Sequence, residues 1–152
     1  MYAVAAIMRL IEMGHLTLNT KVSQVLPQCI GGGREDIRLR HLLTHTSGLI
    51  YESPDMEKKL QAQTPLEDLL KEAFTHPLLF KPGTSLSYAD YNTLIAGHMA
   101  EVATGVTLAQ LVQELVLTPM HLSHTFFPTP LEQDHRVAYV RGPLAEGTPG
   151  AM

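Results

Sequence analysis

The sequence predicts a mainly α-helical chain, and three observations carry that expectation. The first thirteen residues, Met1 to Met13, form an apolar run of helix-forming composition closed by Gly14. Two later segments, Thr64-Pro65-Leu66-Glu67 and Thr107-Leu108-Ala109-Gln110, read as capping boxes, with a hydroxyl acceptor followed three residues on by Glu or Gln. Apolar residues elsewhere recur at helical spacing, and only residues 136–141 read as a short strand.

Each element follows from local chemistry. Met1–Met13 carries only Arg9 and Glu12 as charges, so its helix is apolar nearly all round and asks for burial on every side. Leu16-Thr17-Leu18-Asn19 connects onward. Asn19 is placed to cap a turn of helix that carries Val22, Val25 and Leu26 inward and stops at Pro27. Gly31-Gly32-Gly33 reads as a flexible turn; no Gly-Lys-Ser/Thr follows, which argues against a phosphate loop. Leu39–His45 is a short helix, and Gly48 lets the chain turn sharply after it. Tyr51–Gln63 is polar with weak periodicity and reads as a surface loop with some helix. Thr64 then caps a helix with Pro65 at its first position, running to about Thr75 before Pro77. A helix from about Tyr91 to Thr104 sets Leu94, Ile95, His98, Met99 and Val102 on one face, and Gly105 ends it. The helix opened by Thr107 buries Leu111, Val112, Leu115 and Val116 and ends at Pro119. Residues 1–141 thus form one domain and 142–152 a loose Gly/Pro-rich tail.

Composition bounds the function. A chain of 152 residues, 45% hydrophobic and 17% charged, is one globular domain rather than a disordered segment. The net charge of −4 offers no broad basic surface, so no nucleic-acid partner is expected. Cys29 is the single cysteine and cannot form a disulfide within the chain. The apolar N-terminal run lacks a basic flank, and Gly14 interrupts it too early for a membrane span. Its uncovered apolar surface points instead to self-association.

The chemistry concentrates in Phe80-Lys81-Pro82-Gly83-Thr84-Ser85-Leu86-Ser87-Tyr88-Ala89-Asp90-Tyr91-Asn92. It sets Tyr88 and Asp90 two residues apart in a Pro/Gly-punctuated loop just before a helix, where unpaired N–H groups face outward. A second segment lies upstream, Ile37-Arg38-Leu39-Arg40-His41-Leu42-Leu43-Thr44-His45-Thr46-Ser47-Gly48-Leu49. A third lies downstream, Pro119-Met120-His121-Leu122-Ser123-His124-Thr125-Phe126-Phe127. His41 and His45 have the spacing of two zinc ligands on one helical face, but Leu42 stands where a zinc protease carries its glutamate base. Structural hydrogen bonding is the better reading for them, and for His121 and His124. Ser47 lacks the Gly-x-Ser-x-Gly elbow of an activated serine, and capping a turn suits it better.

In order and spacing these three segments resemble the serine β-lactamase-related family, which includes class C β-lactamases, D-Ala-D-Ala carboxypeptidases and esterases of the same fold. The resemblance runs from about Tyr2 to Tyr139. It implies that the chain is the helical region of the α/β serine β-lactamase/penicillin-binding-protein fold, with the sheet largely missing. It implies a serine hydrolase, working without metal or cofactor through an acyl-enzyme on an ester, β-lactam or peptide carbonyl. The partner would be a small-molecule or peptide substrate bound by the full-length parent. Tyr88 matches the tyrosine of the family's Tyr-x-Asn motif and is the candidate catalytic residue. A free phenol is ionised in about one molecule in a thousand at pH 7, so such a base needs nearby ammonium groups. Asp90 stands where many relatives carry asparagine and is the candidate substrate-binding residue. An ionised aspartate only accepts hydrogen bonds, which weakens the case for amide recognition and favours a lysine partner or an amine-bearing ligand.

Two family motifs are missing. Ser23, Ser47, Ser53, Ser85, Ser87 and Ser123 are followed three residues later by Leu26, Ile50, Met56, Tyr88, Asp90 and Phe126, so there is no Ser-x-x-Lys. No lysine precedes Thr-Gly or Ser-Gly either. The resemblance therefore implies the interior of a longer protein, starting just after the missing lysine and inactive alone. The other expectation is a complete, non-catalytic helical binding or scaffold module.

Overall fold

The computed structural model describes residues 1–126, which contain seven α-helices and no strand. In order these are α1 (Tyr2–Glu12), α2 (Val22–Val25), α3 (Leu39–Leu43), α4 (Met56–Gln61), α5 (Leu66–Ala73), α6 (Asp90–Thr104) and α7 (Leu108–Val112). The chain winds on through a wider π-type turn, Gln113–Leu117. The expected strand at 136–141 and tail at 142–152 lie outside the described residues.

Helix α6 is the hub, packed against α1, α2, α3, α5 and α7. Its buried residues are Tyr91, Asn92, Ile95, Ala96, Gly97, Met99 and Ala100. Val102, expected on the inner face, is exposed instead. The inner face is centred on small residues that let neighbours approach. At Gly97 a Cβ would stand 2.9 Å from Leu108 Cδ2, so the absence of a side chain sets the α6–α7 spacing. Gly105 ends α6 in the left-handed conformation, as expected.

Helix α1 buries Ala6, Ile7 and Leu10 while Tyr2, Val4 and Met8 remain exposed, so its other apolar face is uncovered. Asn19 does not cap α2. Its backbone oxygen accepts from Arg38 and its side chain from Arg40, and Lys21 takes the cap position. The Gly31-Gly32-Gly33 turn is fixed rather than loose. All three residues have positive φ, and the turn curls around the buried Arg34 guanidinium, which donates to the Gly31 carbonyl at 2.7 Å and to that of His76. Helix α5 starts one residue later than expected, with Pro65 rather than Thr64 as its cap. Thr107 Oγ1 accepts the Gln110 N–H at 3.3 Å to cap α7, and Glu101 Oε1 accepts the Leu108 N–H at 2.8 Å.

The segment after Tyr51 is more than a surface loop, because Ser53 is buried and clasps it to α5. Ser53 Oγ donates to Glu72 Oε1 at 2.9 Å and accepts from Lys59 Nζ at 2.7 Å, while Lys59 also pairs with Glu72. The hydrogen bond from Lys59 holds the Glu72 carboxyl below its usual range. A carboxylate with a depressed folded pKa stabilises the fold above its unfolded pKa and loses that contribution as pH falls through the folded value. Glu72→Gln is therefore expected to cost about 1 kcal/mol at neutral pH. The difference should vanish in acid below the Glu72 titration, as read from urea unfolding at stepped pH.

Candidate active site

The first two motif segments, some forty residues apart in sequence, meet in one structure. Helix α3 ends at Leu43, and His45 and Gly48 both take positive φ, of 54° and 83°. The chain reverses between them and turns three carbonyls toward the Phe80–Asn92 segment and the Leu79 that precedes it. His45 O accepts the Ser87 N–H at 3.0 Å, Thr46 O that of Gly83 at 2.8 Å, and Gly48 O that of Leu79 at 2.7 Å. The loop carrying Tyr88 is thus mounted on this turn by backbone hydrogen bonds.

Side chains lock the same junction. Ser47 Oγ, buried, donates to Asn92 Oδ1 at 2.6 Å and accepts the Leu49 N–H at 3.1 Å. The amide Nδ2 of the fully buried Asn92 meets His45 Nδ1 at 3.1 Å, and the Ala89 N–H donates to the same nitrogen at 3.3 Å. With two donors facing it, Nδ1 acts as the acceptor and the ring proton sits on Nε2. The fixed imidazole packs against the Tyr88 ring, centroid to centroid 4.4 Å and tilted 31°. Tyr51 approaches the Tyr88 ring at 5.9 Å, and its carbonyl accepts the Asp90 N–H at 2.8 Å.

Tyr88 itself is 56% exposed, in the loop immediately before α6. Asp90 is the first residue of α6 rather than its cap, a position held by Ala89. Its charge still complements the positive end of the helix. Hydrogen bonding toward Asp90, and that carboxylate's charge, push the Tyr88 phenol above its ordinary range. The Asp90 charge, followed by that of Glu52, does the same to Tyr51. Both shifts oppose ionisation, so the described surroundings of Tyr88 do not supply the activation a general base needs.

The structure packs Tyr88 on His45 and sets Asp90 at the start of α6, its N–H on the Tyr51 carbonyl. It does not place His41 and His45 on one helical face, because α3 stops before His45. His41 is buried, its Nδ1 accepting the Arg38 N–H at 3.2 Å and its Nε2 facing Arg40 Nε at 3.3 Å. Burial, then the Arg40 and Arg38 charges, hold the His41 pKa below the usual histidine range. Among the described residues no group of three or more His, Cys, Asp or Glu is placed to hold a metal ion. Sequence reasoning missed Tyr51 and the buried Asn92. The signal for Asn92 was a polar residue one turn from a helix start on an otherwise apolar face.

The Beta-lactamase family model matches residues 1–151. The chain belongs to the Beta-lactamase family. It is similar to lovastatin esterase of Penicillium rubens, 30% identical over 172 residues that cover 97% of this chain and 42% of that protein. It is similar to the crystal structure of a family VIII carboxylesterase, with TM-score 0.73 and 25% identity, covering 90% of this chain and 37% of that one. It also shares the fold of a penicillin-binding protein homologue from Caulobacter crescentus, with TM-score 0.75 and 22% identity over 95% of this chain and 39% of that one. The described helices are accordingly the helical part of the β-lactamase/penicillin-binding-protein fold, in a family with hydrolase members. The chain spans well under half the length of these relatives. Among the described residues no single helix is long and apolar enough to cross a membrane.

Proposed function

We propose that this chain is the helical part of a serine hydrolase that attacks an ester, β-lactam or peptide carbonyl through an acyl-enzyme. The supporting observation is the mount of the Tyr88 loop. A Ser47–Asn92–His45 chain, buried at Ser47 and Asn92, and three backbone hydrogen bonds hold an exposed tyrosine at a loop–helix junction. A tyrosine that only filled space would need no such support and would be covered. In this reading Tyr88 moves the proton of a serine nucleophile, and Asp90 lines the cleft beside it. The nucleophile and the ammonium groups that activate the phenol come from outside these 152 residues, which contain no Ser-x-x-Lys.

The test is fluorophosphonate labelling of the longest reading frame that contains these residues, beside the 152-residue chain. The longer protein should label on one serine of a Ser-x-x-Lys motif and release p-nitrophenol from its acetate ester. The short chain should do neither. A longer protein without a labelled serine overturns the reading.

A second reading, a non-catalytic binding module, draws on the uncovered side of α1. A cleft of about 490 Å³ there is lined by Met8, Leu115, Pro119 and Met120 with the charged Arg9 and Glu114 beside them, and Met8 and Met120 are exposed. Two such faces would bury each other in a dimer. Sedimentation of the short chain tests this, and a monomer across the accessible concentration range removes it.

A further inference from the structure

We infer that Arg38, Arg40 and His41 form a binding site for a doubly charged oxyanion, the phosphate group of a small molecule. The site does not depend on the hydrolase reading and would serve an inactive relative equally.

The three side chains line an open cavity of about 620 Å³, with Pro82 and Gly83 of the Tyr88 loop on its wall. Backbone pairing fixes the arginines there. The Leu39 N–H donates to the Thr20 carbonyl at 2.9 Å, the Arg40 N–H to that of Leu18 at 3.0 Å, and the Val22 N–H to that of Ile37 at 2.9 Å. Both guanidiniums then reach one residue. Arg38 Nη1 donates to the Asn19 carbonyl at 2.8 Å, and Arg40 Nη1 donates to the Asn19 side-chain oxygen. Two like charges are thus held side by side before any ligand arrives, so binding orders little further. Among the described residues neither arginine pairs with a carboxylate. Asp36 also lines the cavity, but its carboxylate pairs with Lys21 at 3.3 Å. The cavity is therefore locally basic on a chain whose net charge is −4.

A conflict between donors locates the ligand. His41 Nδ1 accepts the Arg38 N–H at 3.2 Å, and a neutral imidazole has a single acceptor nitrogen. Nε2 therefore carries the ring proton. Arg40 Nε, which also carries hydrogen, stands 3.3 Å from it. Two N–H groups face each other, and neither can accept from the other. Protonating His41 does not resolve the conflict, because it removes the one acceptor. An anionic oxygen set against both nitrogens resolves it, and the remaining guanidinium N–H groups can reach the other oxygens of the same anion. Gly83 keeps the approach open, since a Cβ there would stand 3.3 Å from His41 Nε2. Two guanidiniums match two negative charges, which favours a phosphate dianion over a carboxylate.

The test is an NMR titration of the isotope-labelled 152-residue chain at constant ionic strength, with inorganic phosphate, phenyl phosphate and benzoate as probes. The signals to follow are Arg40 Nε, the His41 ring and the Gly83 amide. Both phosphates should shift all three saturably and bind about tenfold more tightly than benzoate. The tighter of the two tells a site for the free ion from a site for an ester. Arg40→Lys keeps the charge but loses the planar donors, and should weaken phosphate about tenfold. Asp36→Asn removes the acidic group on the wall and should tighten it, a gain that a misfolded variant cannot show. Phosphate shifts no larger than those from chloride, benzoate binding as tight as phosphate, unchanged affinity in Arg40→Lys, or no tightening in Asp36→Asn each overturn the inference. So does loss of phosphate binding in the longest reading frame, where another segment would then fill the cavity. Serine labelling in that protein is a separate result, so failure of the anion site and failure of the hydrolase reading are distinguishable.

Discussion

Replacing Gly48 by alanine is expected to destabilise the chain by about 3 kcal/mol or more, enough to lose the folded state of a marginal domain. Gly48 has φ of 83°, which costs an L-residue about 1–2 kcal/mol by itself. The larger cost is steric. A Cβ here would be driven into the carbonyl oxygen of Phe80, with the Leu78 Cβ a further 3.5 Å neighbour. Backbone cannot step aside as a flexible side chain can. Relief would require breaking the bond from the Leu79 N–H to the Gly48 carbonyl, and with it part of the Tyr88 mount. Gly14 supplies the control, with φ of 82° and nothing within 4 Å of the point a Cβ would occupy. Gly14→Ala should show the conformational cost alone, about 1–2 kcal/mol. Denaturant unfolding of both variants separates the two contributions, and equal losses would show that the Phe80 approach does not matter.

The second large effect concerns chemistry. On the proposed hydrolase reading, Tyr88→Phe in the longer protein is expected to lower kcat by about 10²–10⁴-fold, the usual contribution of a positioned proton-transfer group, with little change in KM. The fold should be unaffected, because phenylalanine keeps the ring packed on His45 and the position is largely exposed. Asp90 gives a companion experiment with a definite sign. Its negative charge favours the protonated phenol and raises the Tyr88 pKa. Asp90→Asn should therefore lower that pKa and move the phenolate-dependent limb of the pH–rate profile toward acid. A profile that stays in place would separate Asp90 from the titrating phenol. A Tyr88→Phe enzyme of full kcat would remove the tyrosine from the mechanism.

Those parts of the fold that rest on local chemistry were legible in the sequence. Gly14 and Gly105 close α1 and α6 because a left-handed residue is needed there. Thr107 caps α7 through its own hydroxyl. The Tyr88 loop falls just before a helix, as its Pro and Gly residues imply. What sequence reasoning lost depends on residues distant along the chain. Asn19 is a good cap by composition, yet Arg38 and Arg40 claim it. The inner face of α6 was drawn around large apolar residues, whereas Gly97 and Ala100 decide how closely its neighbours pack and leave Val102 outside. The His41/His45 spacing gives a shared helical face only in a helix that reaches His45, and α3 ends at Leu43. At the site, Tyr88 and Asp90 were visible in their motif. Asn92 and Tyr51 were not, because a buried amide between Ser47 and His45, and a ring from a separate loop, exist only after folding.

The mount also says which residues are free to change. Carbonyls at His45, Thr46 and Gly48 hold the loop through the amides of Ser87, Gly83 and Leu79, and amides are common to nearly every amino acid. Ser85 and Leu86 lie between those attachment points with exposed side chains. A library randomised at these two positions would redraw the rim around Tyr88 while the tyrosine keeps its place. The loop works as an interchangeable faceplate on a fixed chassis, and on the hydrolase reading selectivity can drift there while folding is left alone.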